Sequence, residues 1–516
     1  MNGAESLVKT LLNNSIDVCF TNPGTSEMHF VAALDAHPQM RCVLGLQENI
    51  VTGAADGYAR MSDKPAATLL HLGPGLSNGL ANIHNANRAR SGMINIVGDH
   101  AGYHRKYDAP LTSDIEALAR PLCHWVHTST TADDISADAA DAIATAGTYP
   151  GQISTLILPA DTAWNTTDRP VRGAIKAADS APAQQVEIAK AAEIIRSGEP
   201  TLLIIGGRSL RAAPLAHAGT IITQAKNVEI KAESANARIE RGAGRQAIDR
   251  IPYPIDQAIV QLSHFKHAIL IEARDPVAFF AYPGKPSRIL PEACQIHQLV
   301  DIDGNGALTL EMLVDELGYG QTRAELSSLH TPPLANGGLT PESLSSVIAN
   351  IIPDNAIIVD EAITAGRQFF PATFTANPHS WLQLGGGAIG IGIPLATGAA
   401  IASPDRAVIG LQADGSAMYT LQGLWTQARE NLNITTIIFH NRSYNILKAE
   451  MHNVGINNPG PSALGMLEID RPTLDWVSLA KGMGVEAGRA NDCQSLFDEI
   501  QRGLACEGPY LIEALM

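Results

Sequence analysis

One stretch constrains the fold of this chain more than any other: Arg406 to Leu447, RAVIGLQADGSAMYTLQGLWTQARENLNITTIIFHNRSYNIL. Its apolar run Ala407 to Leu411 reads as a buried strand that ends at Asp414-Gly415-Ser416. Leu421, Leu424, Trp425 and Ala428 then recur at helical spacing. A second apolar, β-branched run, Ile434 to Phe439, ends at Asn441-Arg442-Ser443. Strand, loop, helix, strand, loop is a parallel βαβ unit. Both polar loops fall at the carboxyl ends of their strands, the side on which open α/β sheets hold ligands. Asp414 and Asn441, 27 positions apart, are therefore expected to face one another. A carboxylate, an amide oxygen and a backbone carbonyl form a partial shell suited to Mg²⁺, which completes its octahedron with phosphate and water. An ordinary βαβ unit with polar loops carries the same pattern, so the rest of the chain has to decide.

The same alternation runs throughout. At 516 residues the chain exceeds what one core can organise, and about three domains are expected. The first, 1–165, reads as helix Leu7 to Leu12, strand Val18 to Phe20, the turn Thr21 to Ser26, and helix Met28 to Leu34. Strand Arg41 to Leu46 leads through Gln47-Glu48-Asn49 into helix Ile50 to Arg60. Strand Ala66 to Leu72 meets the turn Gly73-Pro74-Gly75, and Met93 to Val97 is a further strand. A linker, Thr166 to Gln185, precedes a central domain, 186–320, with strands at Thr201 to Ile205, Ala268 to Ile271 and Gln298 to Ile302. A second linker, Gln321 to Leu339, carries Pro-Pro and Asn-Gly-Gly boundary signals before the last domain, 340–516. The fold class is α/β, with three doubly wound parallel-sheet domains.

Composition closes off other classes. A net charge of −16 leaves no basic face for nucleic acid. No apolar run reaches 18 residues, so no membrane span is expected. The first residues read as a helix and not a signal peptide, and the six Cys show no CxxC spacing. Both point to a cytoplasmic protein with reduced thiols. Gly385 to Gly390 spells G-x-G-x-x-G, but a dinucleotide site needs an acid ending the next strand, and Asp405 precedes that strand. An NAD-dependent oxidoreductase is thereby the weaker reading. Gly206-Gly207-Arg208 could approach a nucleotide, but a tight structural turn is the better account of it.

Leu46-Gln47-Glu48, Gly53-Ala54-Ala55-Asp56-Gly57-Tyr58-Ala59-Arg60, Gly73-Pro74-Gly75 and Asn78-Gly79 together resemble a known pattern. It is the pyrimidine-binding domain of the acetohydroxyacid synthase and benzoylformate decarboxylase group of thiamine diphosphate enzymes. Ala413-Asp414-Gly415 with His440-Asn441 resembles the diphosphate motif of the same family, usually Gly-Asp-Gly and Asn-Asn. The outer residues depart, while the presumed side-chain ligands Asp414 and Asn441 remain.

The resemblance implies a cofactor, thiamine diphosphate with Mg²⁺, and a site in two halves. Glu48 would bond N1′ of the aminopyrimidine and so promote formation of the C2 ylid. The Gly387 carbonyl would meet the 4′-amino group, with Ala388 beside it and Ile389 bending the cofactor. Asp414, Asn441 and the Ser443 carbonyl would hold the metal. Thr364, Gly415, Ser416, Ala417 and Tyr444 would surround the diphosphate. In the family the halves meet between subunits, so a homodimer or tetramer is implied. Some members carry FAD in the central domain; it is not expected here.

The implied substrate is a 2-oxo acid, whose decarboxylation leaves an enamine. Protonation of the enamine yields an aldehyde, and addition to a second carbonyl yields an acetolactate synthase-like carboligation product. His71 matches a catalytic His of benzoylformate decarboxylase, and Thr25 matches a substrate-contacting Ser there. Ser26, Ile446 and Leu447 would line the pocket. Leu447 stands where yeast-type pyruvate decarboxylases have Glu, and the central-domain His of benzoylformate decarboxylase has no match in Ala278 to Tyr282. If Phe279 and Phe280 converge with Ile446 and Leu447, a bulky or aromatic substrate is favoured. A non-catalytic subunit of the same fold is a further reading, against which the presence of Glu48 argues.

Overall fold

The structure, a computed structural model, describes residues 1–173, 175 and 179–516; positions 174 and 176–178 of the expected linker 166–185 lie outside them. The strands are β1 (Val18–Asn22), β2 (Arg41–Leu44), β3 (Ala66–Leu70), β4 (Met93–Asp99), β5 (Trp125–Thr128), β6 (Ile153–Pro159), β7 (Thr201–Ile205), β8 (Val228–Ala232), β9 (Arg238–Arg241), β10 (Asp249–Arg250), β11 (His267–Ile271), β12 (Gln295–Val300), β13 (Ala356–Glu361), β14 (His379–Gln383), β15 (Val408–Ala413), β16 (Ile434–His440), β17 (Glu486–Ala490) and β18 (Tyr510–Leu515).

They form three sheets. The first has the order β2-β1-β3-β4-β6-β5, the second β10-β8-β7-β11-β12, the third β17-β18-β16-β15-β13-β14-β9. All pairings are parallel except β9 on β14. Parallel sheets carry helices on both faces, which is why β4, β6 and β16 are buried at every residue. β9 comes from the middle of the sequence, yet pairs Arg238 to Arg241 against Leu382 to His379 at the edge of the third sheet.

Several expected boundaries move, among them the last central-domain strand, which runs Gln295–Val300 instead of Gln298 to Ile302; three lie beside the site and have a local reason. The strand expected to reach Leu46 stops at Leu44, because the Gln47 side chain accepts the Asn49 N–H (2.7 Å) and caps a helix, Glu48–Ser62. Glu48 therefore opens that helix and does not end a strand. His71 stands just before a helix, Leu72–Ala89, so Gly73-Pro74-Gly75 is helical and not a turn. Pro is tolerated there because the first helical turn leaves its N–H groups unpaired in any case. Asp414-Gly415-Ser416, expected as loop, forms one helical turn, Asp414–Ala417, and the following helix is Gly423–Arg429.

The first and third sheets meet through helices Glu48–Ser62 and Gly392–Ala402. A Cβ on Gly57 would overlap the Leu395 carbonyl, and one on Gly398 would overlap that of Ala54, so these backbones touch without side chains between them. Val51, Ala54, Tyr58, Val359, Ile391 and Leu395 belong to one core cluster across that contact. No described helix is long and apolar enough to cross a membrane. All six cysteines are free.

Candidate active site

The first half lies at the carboxyl ends of β1 and β3. Glu48 is 8 % exposed, and its Oε2 accepts from Asn78 Nδ2 at 2.9 Å. A Cβ on Gly75 would sit 3.2 Å from Glu48 Oε1 and 3.4 Å from His71 Cβ, so bare Gly75 lets both side chains flank one spot. His71 Nδ1 lies 2.8 Å from Oε2 of Glu27, a buried carboxylate that also accepts the Gly24 N–H at 2.7 Å. Burial pushes the Glu27 carboxyl up, while His71 and the Gly24 N–H pull it back. With the carboxylate accepting from Nδ1–H, Nε2 is the ring nitrogen left to gain a proton, giving an imidazolium, and to give it up again; the His71 side chain is 24 % exposed. Its ring rests on Gly24, where a Cβ would overlap it. Thr25 and Ser26 open the 3₁₀ turn Thr25–Glu27, Thr25 exposed and Ser26 partly so.

Glu27 was not legible as a site residue. Its signal is an acid three positions after Gly24, a capping-box spacing that is ordinary at helix starts. Only the fold shows that its partner is His71, 44 positions away.

The second half surrounds the Gly-rich run. Glu361, buried at the end of β13, accepts N–H groups from Gly390 (2.7 Å), Ile391 (3.3 Å) and Gly392 (2.7 Å). These are the helix N-terminal groups that a dinucleotide pyrophosphate would use. Glu361 holds these three N–H groups, which leaves them unavailable to a pyrophosphate. Asn85 donates to the Ala388 carbonyl (2.7 Å) and accepts its N–H (3.2 Å), while His84 Nε2 lies 3.0 Å from the Gly386 carbonyl. Gly387 has a φ of 84°, a conformation favouring glycine, and a Cβ there would lie 2.6 Å from the Phe279 ring. Among the described hydrogen bonds, none ends on the Gly387 carbonyl.

Burial pushes the Glu361 carboxyl up to about 7, against the pull of its three N–H donors. Between pH 4.5 and 7 the unfolded chain releases a proton that the folded one keeps, so stability falls as pH rises through that window. The shift corresponds to about 3 kcal/mol. Urea unfolding at pH 5 and pH 8 is expected to show this loss in the wild type and a correspondingly smaller one in Glu361→Gln; equal pH dependence would remove Glu361 as its source.

The third group is the pair of loops after β15 and β16. These strands pair in register from Val408↔Ile434 to Ala413↔Phe439, which sets Asp414 beside the chain leaving β16. Buried Asp414 accepts the Gly415 N–H at Oδ1 (2.8 Å) and the Arg442 N–H at Oδ2 (2.6 Å). Burial pushes its carboxyl up, and those N–H bonds oppose the shift. Asn441 Oδ1 accepts from Ser443 N (2.9 Å) and keeps a second lone pair. The donor set is all oxygen, which fits Mg²⁺. A Cβ on Gly415 would lie 2.5 Å from the Tyr444 ring, so only glycine allows this approach. The Ser416 hydroxyl donates to the Ala413 carbonyl (3.0 Å). Ala417 is buried below it, and Thr364 follows Ile363, whose φ is 51°. His440, where the motif usually has Asn, lies 2.7 Å from Glu513 of β18 and so costs the site no ligand.

Asn78 and Asn85 stand seven residues apart on one helix, about 10 Å along its axis. Asn78 holds Glu48, and Asn85 holds the Ala388 backbone. Within one chain, therefore, the two halves are served by separated points of the same helix. Exposed apolar side chains flank both: Met28 and Leu46 near the first, Met418 and Tyr419 near the loop after β15. Ile446 and Leu447 lie on the first turn of helix Asn445–Asn453, Leu447 exposed.

Comparison with known proteins identifies relatives of the whole chain. Residues 1–119 match the N-terminal TPP binding domain of thiamine pyrophosphate enzymes, and residues 365–514 match the C-terminal one. The chain is 49 % identical over 517 residues to "Putative acetolactate synthase large subunit IlvX" of Mycobacterium tuberculosis, covering 100 % of this chain and 99 % of that one. It is 29 % identical to benzoylformate decarboxylase of Pseudomonas aeruginosa, covering 98 % and 96 %. Among solved structures, 4-hydroxybenzoylformate decarboxylase of Rhodococcus jostii superposes with a TM-score of 0.85 at 22 % identity, covering 100 % and 99 %. At that identity the likeness concerns the fold.

Proposed function

The chain belongs to the thiamine diphosphate-dependent enzymes, and we propose that it decarboxylates a 2-oxo acid non-oxidatively, with a bulky or aromatic side chain preferred. The observation that supports this reading is the Glu27–His71 pair beside Glu48, an ion-paired imidazole that can act as a proton donor next to the carboxylate. When bound, thiamine diphosphate supplies a nucleophilic carbon and an acceptor for the electron pair released with carbon dioxide.

The protein's own groups then have separable tasks. Glu48 Oε1, free beside Gly75 while Oε2 is held by Asn78, exchanges a proton with the pyrimidine ring. Gly387 would offer its carbonyl to the exocyclic amine of the bound cofactor, with Ala388 beside it and Ile389 as the bulky apolar residue under it. Asp414, Asn441 and the Ser443 carbonyl hold Mg²⁺. Thr364 and the Gly415 to Ala417 turn would hold the diphosphate, with Tyr444, which packs against Gly415, beside it. His71 delivers a proton from Nε2, and Thr25 and Ser26 orient the carboxylate of the substrate. The separation of the halves along the Leu72–Ala89 helix supports a site completed by a second copy, in a homodimer or tetramer.

A second reading is acetolactate synthase-like carboligation. Favouring it is the 49 % identity along the whole chain to a relative named for that activity. The test is a panel of pyruvate, a branched-chain 2-oxo acid and phenylglyoxylate, with thiamine diphosphate and Mg²⁺, scored for carbon dioxide, aldehyde and acyloin. Aldehyde from phenylglyoxylate is expected; acyloin as main product would favour the second reading. No carbon dioxide from a cofactor-loaded enzyme would end both. His71→Ala is expected to slow aldehyde release roughly 10²-fold while cofactor-induced thermal stabilisation persists; an unchanged rate would demote His71.

A further inference from the structure

Helix Asn445–Asn453 carries the pocket residues Ile446 and Leu447, but none of its residues is buried. A helix with so little packing needs another anchor to hold its place. Glu450 supplies one. Its Oε2 accepts from Tyr282 Oη at 2.8 Å and its Oε1 from Tyr253 Oη at 3.1 Å. Tyr253 lies just before helix Ile255–Leu262, and Tyr282 lies in the segment that follows β11. Both carboxylate oxygens of one residue in the last third of the chain are thus filled by phenols from the middle third. Charge-assisted bonds of this kind are the stronger class.

The same tyrosines adjoin an aromatic pair. The Phe279 ring is 5.4 Å from that of Tyr253 and 5.0 Å from that of Phe280. Phe279 also lies against Gly387, where a Cβ would strike it. Yet Phe279 is 48 % exposed and Phe280 53 %. Two large rings left half in water beside the Gly-rich loop lack apolar cover that a ligand could provide. Ile446 and Leu447 precede Glu450 by four and three positions, so all three share one helix face. The bonds from Tyr253 and Tyr282 therefore fix the face that bears the apolar pocket residues relative to the two phenylalanines.

We propose that Glu450, bound by Tyr253 and Tyr282, is a positioning residue: it sets the width of a slot between Phe279, Phe280, Ile446 and Leu447, and this slot receives the apolar or aryl group of the 2-oxo acid. The inference rests on the function proposed above and adds the residues that select the substrate. Glu450 touches no reacting atom in this scheme. It acts by holding one wall of the slot against the other.

The double variant Tyr253→Phe/Tyr282→Phe keeps both rings and removes both donors. It is expected to raise KM for phenylglyoxylate about tenfold, the effect of one or two lost hydrogen bonds, with KM for pyruvate and both kcat values changed by less than about twofold. Glu450→Ala should act alike, and Glu450→Gln, which keeps an acceptor, should recover part of the loss. Hydrogen exchange of residues 445–453 in the cofactor-loaded enzyme should quicken in the double variant. Equal change for both substrates, or no change for either, overturns the slot. A wild type that uses pyruvate but not phenylglyoxylate overturns it as well. A wild type inactive on every 2-oxo acid removes the function reading and the slot with it; hydrogen exchange then judges the anchor alone, and unchanged exchange overturns that too.

Discussion

Glu48→Gln is expected to lower turnover of every 2-oxo acid by about 10³-fold while thiamine diphosphate and Mg²⁺ still raise the melting temperature. The substitution is nearly isosteric. Asn78 Nδ2 can donate to the new amide oxygen as it now does to Oε2, so the local geometry has a route to persist. What disappears is a carboxylate that can take up and return a proton. Losing a negative charge at the first position of a helix costs only about 0.5 kcal/mol, too little to unfold the chain. Rate and stability should therefore part company, with carbon dioxide release lost and the cofactor-induced melting shift kept. A variant that turns over normally would take Glu48 out of the chemistry. One that loses the melting shift as well would make it a binding residue first.

The sequence carried those parts of the site that depend on local pattern. The βαβ unit from Arg406 to Leu447 was readable because two apolar runs flank a helical spacing, and the register Ala413↔Phe439 follows from pairing them in parallel. The boundary errors were also local: Pro74 and Gly73 look like a turn, although the first turn of a helix accepts both. What could not be read were meetings between distant segments. Glu27 meets His71 across 44 positions, Glu361 reaches the Gly390 to Gly392 backbone across about 30, and Glu450 reaches Tyr282 across 168. In each, a carboxylate finds a partner through tertiary packing, and no periodicity marks it beforehand. β9 is the same case in backbone form, since nothing in Arg238 to Arg241 announces that it pairs with β14.

Asp414 shows how such a contact bears on function, and its replacement is the second large effect. Asp414→Ala removes a proposed metal donor and also the acceptor for the Gly415 and Arg442 N–H groups. Leaving a buried N–H without a partner costs about 1 to 3 kcal/mol, so this variant confounds loss of metal with loosening of the loops. Asp414→Asn separates the two. The amide oxygen can still accept from Arg442 N and hold the loop after β16 to that after β15, but the side chain no longer carries charge. Mg²⁺ strongly prefers a carboxylate in a site otherwise built from neutral oxygens and phosphate. The Asn variant leaves only the Gly415 N–H without its acceptor, so it is expected to melt between the Ala variant and the wild type without cofactor, yet to need about 10²-fold more Mg²⁺ for half of the cofactor-induced shift, a loss of about 3 kcal/mol in binding. Titrating Mg²⁺ at fixed thiamine diphosphate while following melting temperature measures this directly. The Ala variant should show the same weakened titration on top of a lowered starting temperature. Were Asn to titrate like the wild type, the buried carboxylate would be a strut between two loops, and the metal would have to be held by Asn441, backbone carbonyls and phosphate alone.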